Sequence, residues 1–256
     1  MNTIIVSAFI TGTNKRNDRP IDAYIEYGRA LIDATPNTTK IVFVSSDIIN
    51  VLNKDNTHFI EFNLTDMYYY NSDVSQHSVN TGRPDKDTAE YMMVQNHKPE
   101  WMRQAILYTQ KNMPDIAINA HYMWVDFGIR HMFPSDAGLK HALETCLSNV
   151  SARYKDAWDS GHPLDQVHFA SCWPDPRPHL DIYRDIQWVF AGSVFGGMRG
   201  PLLRFADLAK QECNRIIRER RALMWEVNVW ILIREKYPLL FSLYRCGHDS
   251  SILLSY

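Results

Sequence analysis

An apolar run, Tyr122-Met123-Trp124-Val125, stops at a single carboxylate, Asp126, and Gly128 follows two residues later. Unbroken apolar residues over this length suit a strand buried on both faces, and a glycine just beyond it lets the backbone turn. The chain is therefore expected to be an α/β protein with this segment at its centre. An acid at the carboxyl end of a central strand sits where open α/β sheets bind ligands. Two readings of Asp126 stay open. It holds a divalent metal on a nucleotide diphosphate, or it closes an Asx turn toward Ile129.

The flanking segments support the same class. Thr3 to Phe9 and Lys40 to Ser46 read as buried strands, and Thr57 to Leu64 as a third. Ile21 to Ala34 has helical spacing, with Tyr24, Tyr27, Leu31 and Ile32 near one face. Strand, helix, strand at this spacing is a unit that feeds a parallel sheet. A polar, glycine-containing loop is expected from Thr11 to Pro20. Asp66 to His97 reads as a long loop, or a short helix with loops, around Gly82-Arg83-Pro84. Pro99 then suits the first turn of a helix reaching Lys111. A helix is expected from Ser135 toward Trp158, and strands at Val167 to Cys172 and Trp188 to Phe195. The proline-rich Trp173-Pro-Asp-Pro-Arg-Pro178 must be an irregular connector. Pro201 to Tyr237 reads as helix, broken near Arg221. With no repeat and no clear linker, one mixed α/β domain is expected.

Composition narrows the partners. The chain has 256 residues and a formal net charge of -2, so no global field advertises nucleic-acid binding. The N-terminus lacks a basic region, and Thr3 to Ile10 is too short for a signal core. No stretch approaches the roughly 20 apolar residues of a membrane span. The four cysteines, Cys146, Cys172, Cys213 and Cys246, form no C-x-x-C pair. Zinc and redox motifs are therefore unsupported, and a reduced, cytoplasmic protein is the simpler expectation. The sequons at Asn37, Asn63 and Asn149 are then chance matches.

Four constellations carry chemistry. Asp126 is the first. The second is Ala191 to Gly200, with Gly192, Gly196, Gly197 and Gly200, read either as a backbone cradle for an anion ahead of a helix or as a tight strand-to-helix turn. The third is Trp225-Glu226-Val-Asn228-Val-Trp230. Glu226 has apolar neighbours on both sides, and a carboxylate drawn inside needs a partner. It is a candidate base, nucleophile or sugar-hydroxyl clamp, or a core acid paired with one of Arg218, Arg220 and Arg221. The fourth is Gly247-His248-Asp249-Ser250. His248 is a candidate metal ligand and Asp249 an orienting acid, or Asp249 and Ser250 simply start a last helical turn. The basic run Arg215, Arg218, Arg220, Arg221 reads as a solvated helix face.

In this order, Thr3-Ile-Ile-Val-Ser-Ala-Phe9, Asn96-His-Lys98 before Pro99-Glu-Trp-Met-Arg-Gln-Ala-Ile106, Trp124-Val-Asp-Phe-Gly128, Ala191-Gly-Ser-Val-Phe-Gly-Gly197 and Gly247-His-Asp-Ser-Ser-Ile-Leu253 resemble the HtrL/YibB-type glycosyltransferase-like proteins. The resemblance spans nearly the whole chain. It implies a GT-A-like fold: a Rossmann-like mixed central sheet flanked by helices, in a single domain over 1–256. A nucleotide-binding half would cover 1–130 and an acceptor half 131–256. It implies transfer of a sugar from a nucleotide-diphosphate donor to a glycan or other acceptor, assisted by Mn²⁺ or Mg²⁺. Asp126 would be the acid of an Asp-x-Asp motif whose second acid is replaced by Gly128, and His248 would complete the metal shell. Glu226, then Asp249, would face the sugar. Lys98 and Arg130 would bind phosphate, with Asn96, Gly192, Gly196 and Gly197 nearby. Ala8, Phe9, Thr11 and Asp47 would flank the nucleoside. The missing second acid keeps an alternative open, a non-catalytic nucleotide-sugar or carbohydrate-binding protein on the same fold.

Overall fold

Tyr122 and Trp124 pack into the hydrophobic core on one side of a sheet, and Met123 and Val125 into the core on the other. That is why the run is apolar at every position rather than at alternate ones. The computed structural model describes residues 2–13, 19–52, 56–70, 74, 87–160 and 164–256. Gly82-Arg83-Pro84 and residues 14–18 of the first loop lie outside the described residues.

The strands are β1 (Asn2–Phe9), β2 (Lys40–Val44), β3 (Thr57–Glu61), β4 (Ala120–Val125), β5 (Val167–Ser171), β6 (Val194–Met198) and β7 (Phe241–Arg245). The helices are α1 (Ile21–Ala34), α2 (Ala89–Asn112), α3 (Pro114–Ala117), α4 (Asp136–Ser160), α5 (Arg199–Arg220), α6 (Glu226–Lys236) and α7 (Ser251–Leu254). The strands form one seven-stranded sheet in the order β3-β2-β1-β4-β6-β5-β7. All neighbours pair in parallel except β6, which runs antiparallel to β4 and β5. Helices α2, α5 and α6 cover one face and α1, α4 and α7 the other. The expected mixed α/β sheet flanked by helices is the observed fold.

The order matters for the site. From β1 the chain builds outward through β2 to β3, then returns to add β4 on the opposite side of β1. The carboxyl ends of β1 and β4 thus flank a topological switch point, where open α/β sheets leave a crevice. Ser7 Oγ donates to Val125 O at 2.7 Å and ties the two ends together.

Three segments differ from the sequence expectation. Helix α2 starts ten residues before Pro99, after Thr88, whose hydroxyl accepts from Tyr91 N at 3.2 Å. Pro99 therefore sits in the helix interior and not at its first turn. Buried Asn96, His97 and Lys98 interrupt the apolar stripe that would have revealed the helix. The strand expected over Trp188 to Phe195 begins only at Val194, and Trp188 to Ser193 is a turn-rich segment. Gly196 and Gly197 accordingly lie inside β6, beneath Tyr256 and against β5, and do not form a strand-to-helix turn. Strand β7, a short edge strand, had no expectation.

Candidate functional site

The switch-point crevice opens into a cleft of about 420 Å³. This falls within the range of small-molecule sites. Its floor is an ionic cluster drawn from distant parts of the chain. Lys98, on α2, is 2% exposed. Its ammonium lies 3.1 Å from Asp126 Oδ1, at the end of β4, and 3.2 Å from Glu226 Oε1, the first residue of α6. It also donates to Gly192 O at 2.9 Å. These acceptors use the donor capacity of the ammonium. Burial alone would lower the lysine's pKa. The two carboxylates and the hydrogen bonds donated to them outweigh burial and raise it.

Each partner has a structural reason to be where it is. Asp126 N donates to Ser193 O at 2.9 Å, so the end of β4 carries the loop that presents the Gly192 carbonyl. A Cβ at Gly192 would overlap Glu226 Oε1, so only glycine lets that carboxylate reach Lys98. Trp124 Nε1 donates to Asp126 Oδ1 at 2.7 Å and fixes the carboxylate further. Glu226 starts its helix, where a negative charge is favoured by the helix dipole. The break before it follows Arg221, whose φ of 54° ends α5 in the left-handed region.

The cluster carries one positive and two negative charges, and its acids keep unused acceptor capacity. Glu226 is 4% exposed, and its Oε2 has no hydrogen-bond partner among the described residues. An unpaired buried carboxylate oxygen is costly, and a donor entering the cleft would relieve that cost. Asp126 is the open member, with a side chain 34% exposed.

The walls are aromatic. On one side Phe9 lies between Tyr24 and Phe127, with ring centroids 5.1 Å and 5.2 Å apart. On the other, Trp188 meets His248 edge to face at 4.7 Å and Trp225 at 6.4 Å. Asn228 holds the loop bearing Trp188 by accepting from Gln187 N at 2.9 Å and donating to Ile182 O and Asp185 O. The neighbouring Cys172 sulfur, and the Asp249 charge, raise the pKa of the His248 imidazole.

Of the residues singled out by sequence, Ala8, Phe9, Lys98, Asp126, Gly192, Glu226 and His248 line one cleft. The others are placed elsewhere or engaged. Asn96 is a buried bracket, donating to Met92 O and Met224 O and accepting from Cys213 Sγ. Arg130 bonds Asp136 and Phe133 O at the start of α4. Thr11 and Asp47 bond each other at 3.2 Å at the ends of β1 and β2, outside the cleft lining. Asp249 accepts from Ser251 N and Ser251 Oγ, which is the turn-forming arrangement ahead of α7. Tyr91, Gln95, Tyr24 and Trp188 line the cleft without having been singled out. Tyr91, Gln95, Lys98 and Trp101 follow the spacing of one helix face, a signal hidden while that stretch read as loop.

Asp126 and His248 line the same cleft, as a shared cation would require. Among the described residues, however, no three His, Cys, Asp or Glu side chains converge as a metal site. Gly128, where a second acid was sought, packs under Tyr24, and a Cβ there would lie 2.9 Å from that ring. A metal held by Asp126 and His248 would therefore need substrate oxygens to complete its shell.

No family model matches the chain, and no curated protein sequence matches it. Among solved structures, the bifunctional IspDF from Campylobacter jejuni is similar at 10% identity and a TM-score of 0.40. The match covers 100% of this chain and 52% of that one, so the chain spans about half the length of that protein. No helix among the described residues is long and apolar enough to cross a membrane.

Proposed function

We propose that the cleft binds a nucleotide-diphosphate sugar and that the protein is a glycosyltransferase, passing the sugar to a glycan or other acceptor. One observation carries the reading: Lys98 bridges Asp126 and Glu226 on the floor of an aromatic-walled cleft at the switch point of the sheet. Aromatic faces suit a base and the apolar side of a sugar ring. The resemblance to the HtrL/YibB-type proteins points the same way, and the reading includes a cytoplasmic setting.

In this reading Glu226 faces the sugar. Lys98 pairs with its Oε1, and its unpaired Oε2 takes a sugar or acceptor hydroxyl. A carboxylate so placed stabilises positive charge developing at the anomeric carbon. Asp126 and His248 would hold Mn²⁺ or Mg²⁺ on the donor's phosphates, and the cation would neutralise the charge of the departing diphosphate. Arg130 and Asp249 have no role here, because their side chains are spent on the starts of α4 and α7.

The packing of Gly128 under Tyr24 favours a second reading, a protein that binds the nucleotide sugar without turning it over. Thermal unfolding with a panel of nucleotides and nucleotide sugars, with and without Mn²⁺, separates the two when combined with a transfer assay. Binding raises the midpoint by mass action. A midpoint that no nucleotide moves would end both readings. A shift without turnover of any donor would leave the second.

A further inference from the structure

Cys172 and Cys246 are 74 positions apart in the chain. They directly follow Ser171 and Arg245, the last register partners of the parallel pair β5 and β7. The pairing continues past those residues, since Cys246 N donates to Ser171 O at 3.0 Å. The two Sγ atoms lie 3.9 Å apart as free, half-buried thiols. Adjacent strands run about 4.8 Å apart, which lies inside the Cα separation of about 4.4–6.8 Å that a disulfide bridges. A bond between the sulfurs therefore needs a side-chain rotation and no strand displacement. The remaining thiols are buried and face other groups: Cys146 Sγ lies 3.4 Å from Met123 Sδ, and Cys213 Sγ lies 3.3 Å from Asn96 Oδ1.

We propose that Cys172 and Cys246 are a modification site, forming a reversible disulfide under peroxide at the rim of the cleft. A thiolate of the pair attacks hydrogen peroxide, the O–O bond breaks, and a sulfenic acid and hydroxide result. The second thiol attacks that sulfur, the S–S bond forms, the S–O bond breaks, and the oxygen leaves as water. The sum is two thiols and one peroxide giving one disulfide and two waters. The bond ties the ends of β5 and β7 together. One of its two ends, Cys246, lies two residues before His248, the ring that faces Trp188 in the cleft.

The test uses the full chain, reduced, freed of reductant and briefly exposed to hydrogen peroxide. The intact mass should fall by two hydrogens, and peptide mapping should join Cys172 to Cys246. Titratable thiols in denaturant should drop from four to two, and dithiothreitol should restore them. In Cys246→Ser the mass should instead report a sulfenic acid on Cys172 that dimedone traps. Added oxygen without a cross-link in the unmutated chain would overturn the proposal. So would a link that includes Cys146 or Cys213, or one between two molecules.

Discussion

Lys98 and Glu226 are separated by 128 positions in the chain and meet at 3.2 Å, both almost wholly buried. Neither charge is tolerable alone in that place, so the pair couples the centre of α2 to the start of α6 as one unit.

Removing the cation should therefore cost more than removing an acid. Lys98→Met leaves Glu226 and part of Asp126 uncompensated, and is expected to destabilise the protein by about 3–5 kcal/mol in chemical denaturation. The pH dependence has a definite sign. Carboxylate attraction holds the Lys98 pKa above its ordinary 10.5. The stabilisation it contributes is complete at neutral pH, and is lost as pH rises past 10.5 and through the higher folded value. Denaturation midpoints should show an alkaline loss in the unmutated protein that is weaker in Lys98→Met. Equal alkaline slopes would remove the lysine from that role.

Glu226→Gln keeps the shape of the acid and removes its charge. Nucleotide-dependent thermal shifts should persist, while sugar transfer should fall by at least about 10²-fold, the scale of a lost acid–base or charge-stabilising group. Full transfer activity in this variant would take Glu226 out of the reaction.

Gly128→Asp restores the acid pair that the resemblance leads one to seek. Because the new Cβ would sit 2.9 Å from the Tyr24 ring, the substitution should cost about 1–3 kcal/mol by overpacking. In a Tyr24→Ala background the added cost of Gly128→Asp should shrink. A double-mutant cycle of unfolding free energies reads that coupling, and additivity would show that the ring does not exclude the side chain.

His97 sits among Trp101, Phe62 and Tyr68, and neither ring nitrogen has a hydrogen-bond partner among the described residues. Burial, aided by the nearby Lys210 charge, brings its pKa from 6.5 down to about 3. The unfolded chain takes up this proton below pH 6.5 and the folded one resists, so the contribution is intact above 6.5 and is lost as pH falls toward 3. His97→Phe should raise stability at neutral pH by about 1–3 kcal/mol. It should also flatten the acid limb of the stability profile, measured by urea denaturation across that range.

Much of the sheet was legible because its strands are apolar on both faces. Ile4 and Val6 of β1 enter one core and Ile5 the other, and β4 repeats the pattern. Helix α1 was equally plain from its spacing. Helix α2 was obscured because its site-facing residues are polar and buried, which reads as loop until their partners are known. The ionic cluster shows the same limit. Asp126 and Glu226 were conspicuous as acids, and Lys98 entered only through the resemblance, as a phosphate-binding cation. Their pairing depends on Gly192 leaving room, and nothing local to Glu226 distinguished Lys98 from the arginines nearer in sequence. Arg130 and Asn96 lie outside the cleft lining for a related reason. A carboxylate six residues on engages Arg130, and two backbone carbonyls take the amide donors of Asn96.

The antiparallel strand β6 also sets an order of events during synthesis. β1 to β4 and α2 leave the ribosome well before Val194–Met198 can cover the free edge of β4, and before Glu226 and the Gly192 carbonyl can reach Lys98. A fragment ending at Arg220 is therefore expected to leave α2 open to limited proteolysis, whereas the whole chain protects it. The early half of the molecule thus behaves as an unfinished vessel. Its nascent edge and stranded ammonium invite rescue or aggregation until the final segments are translated and close the floor.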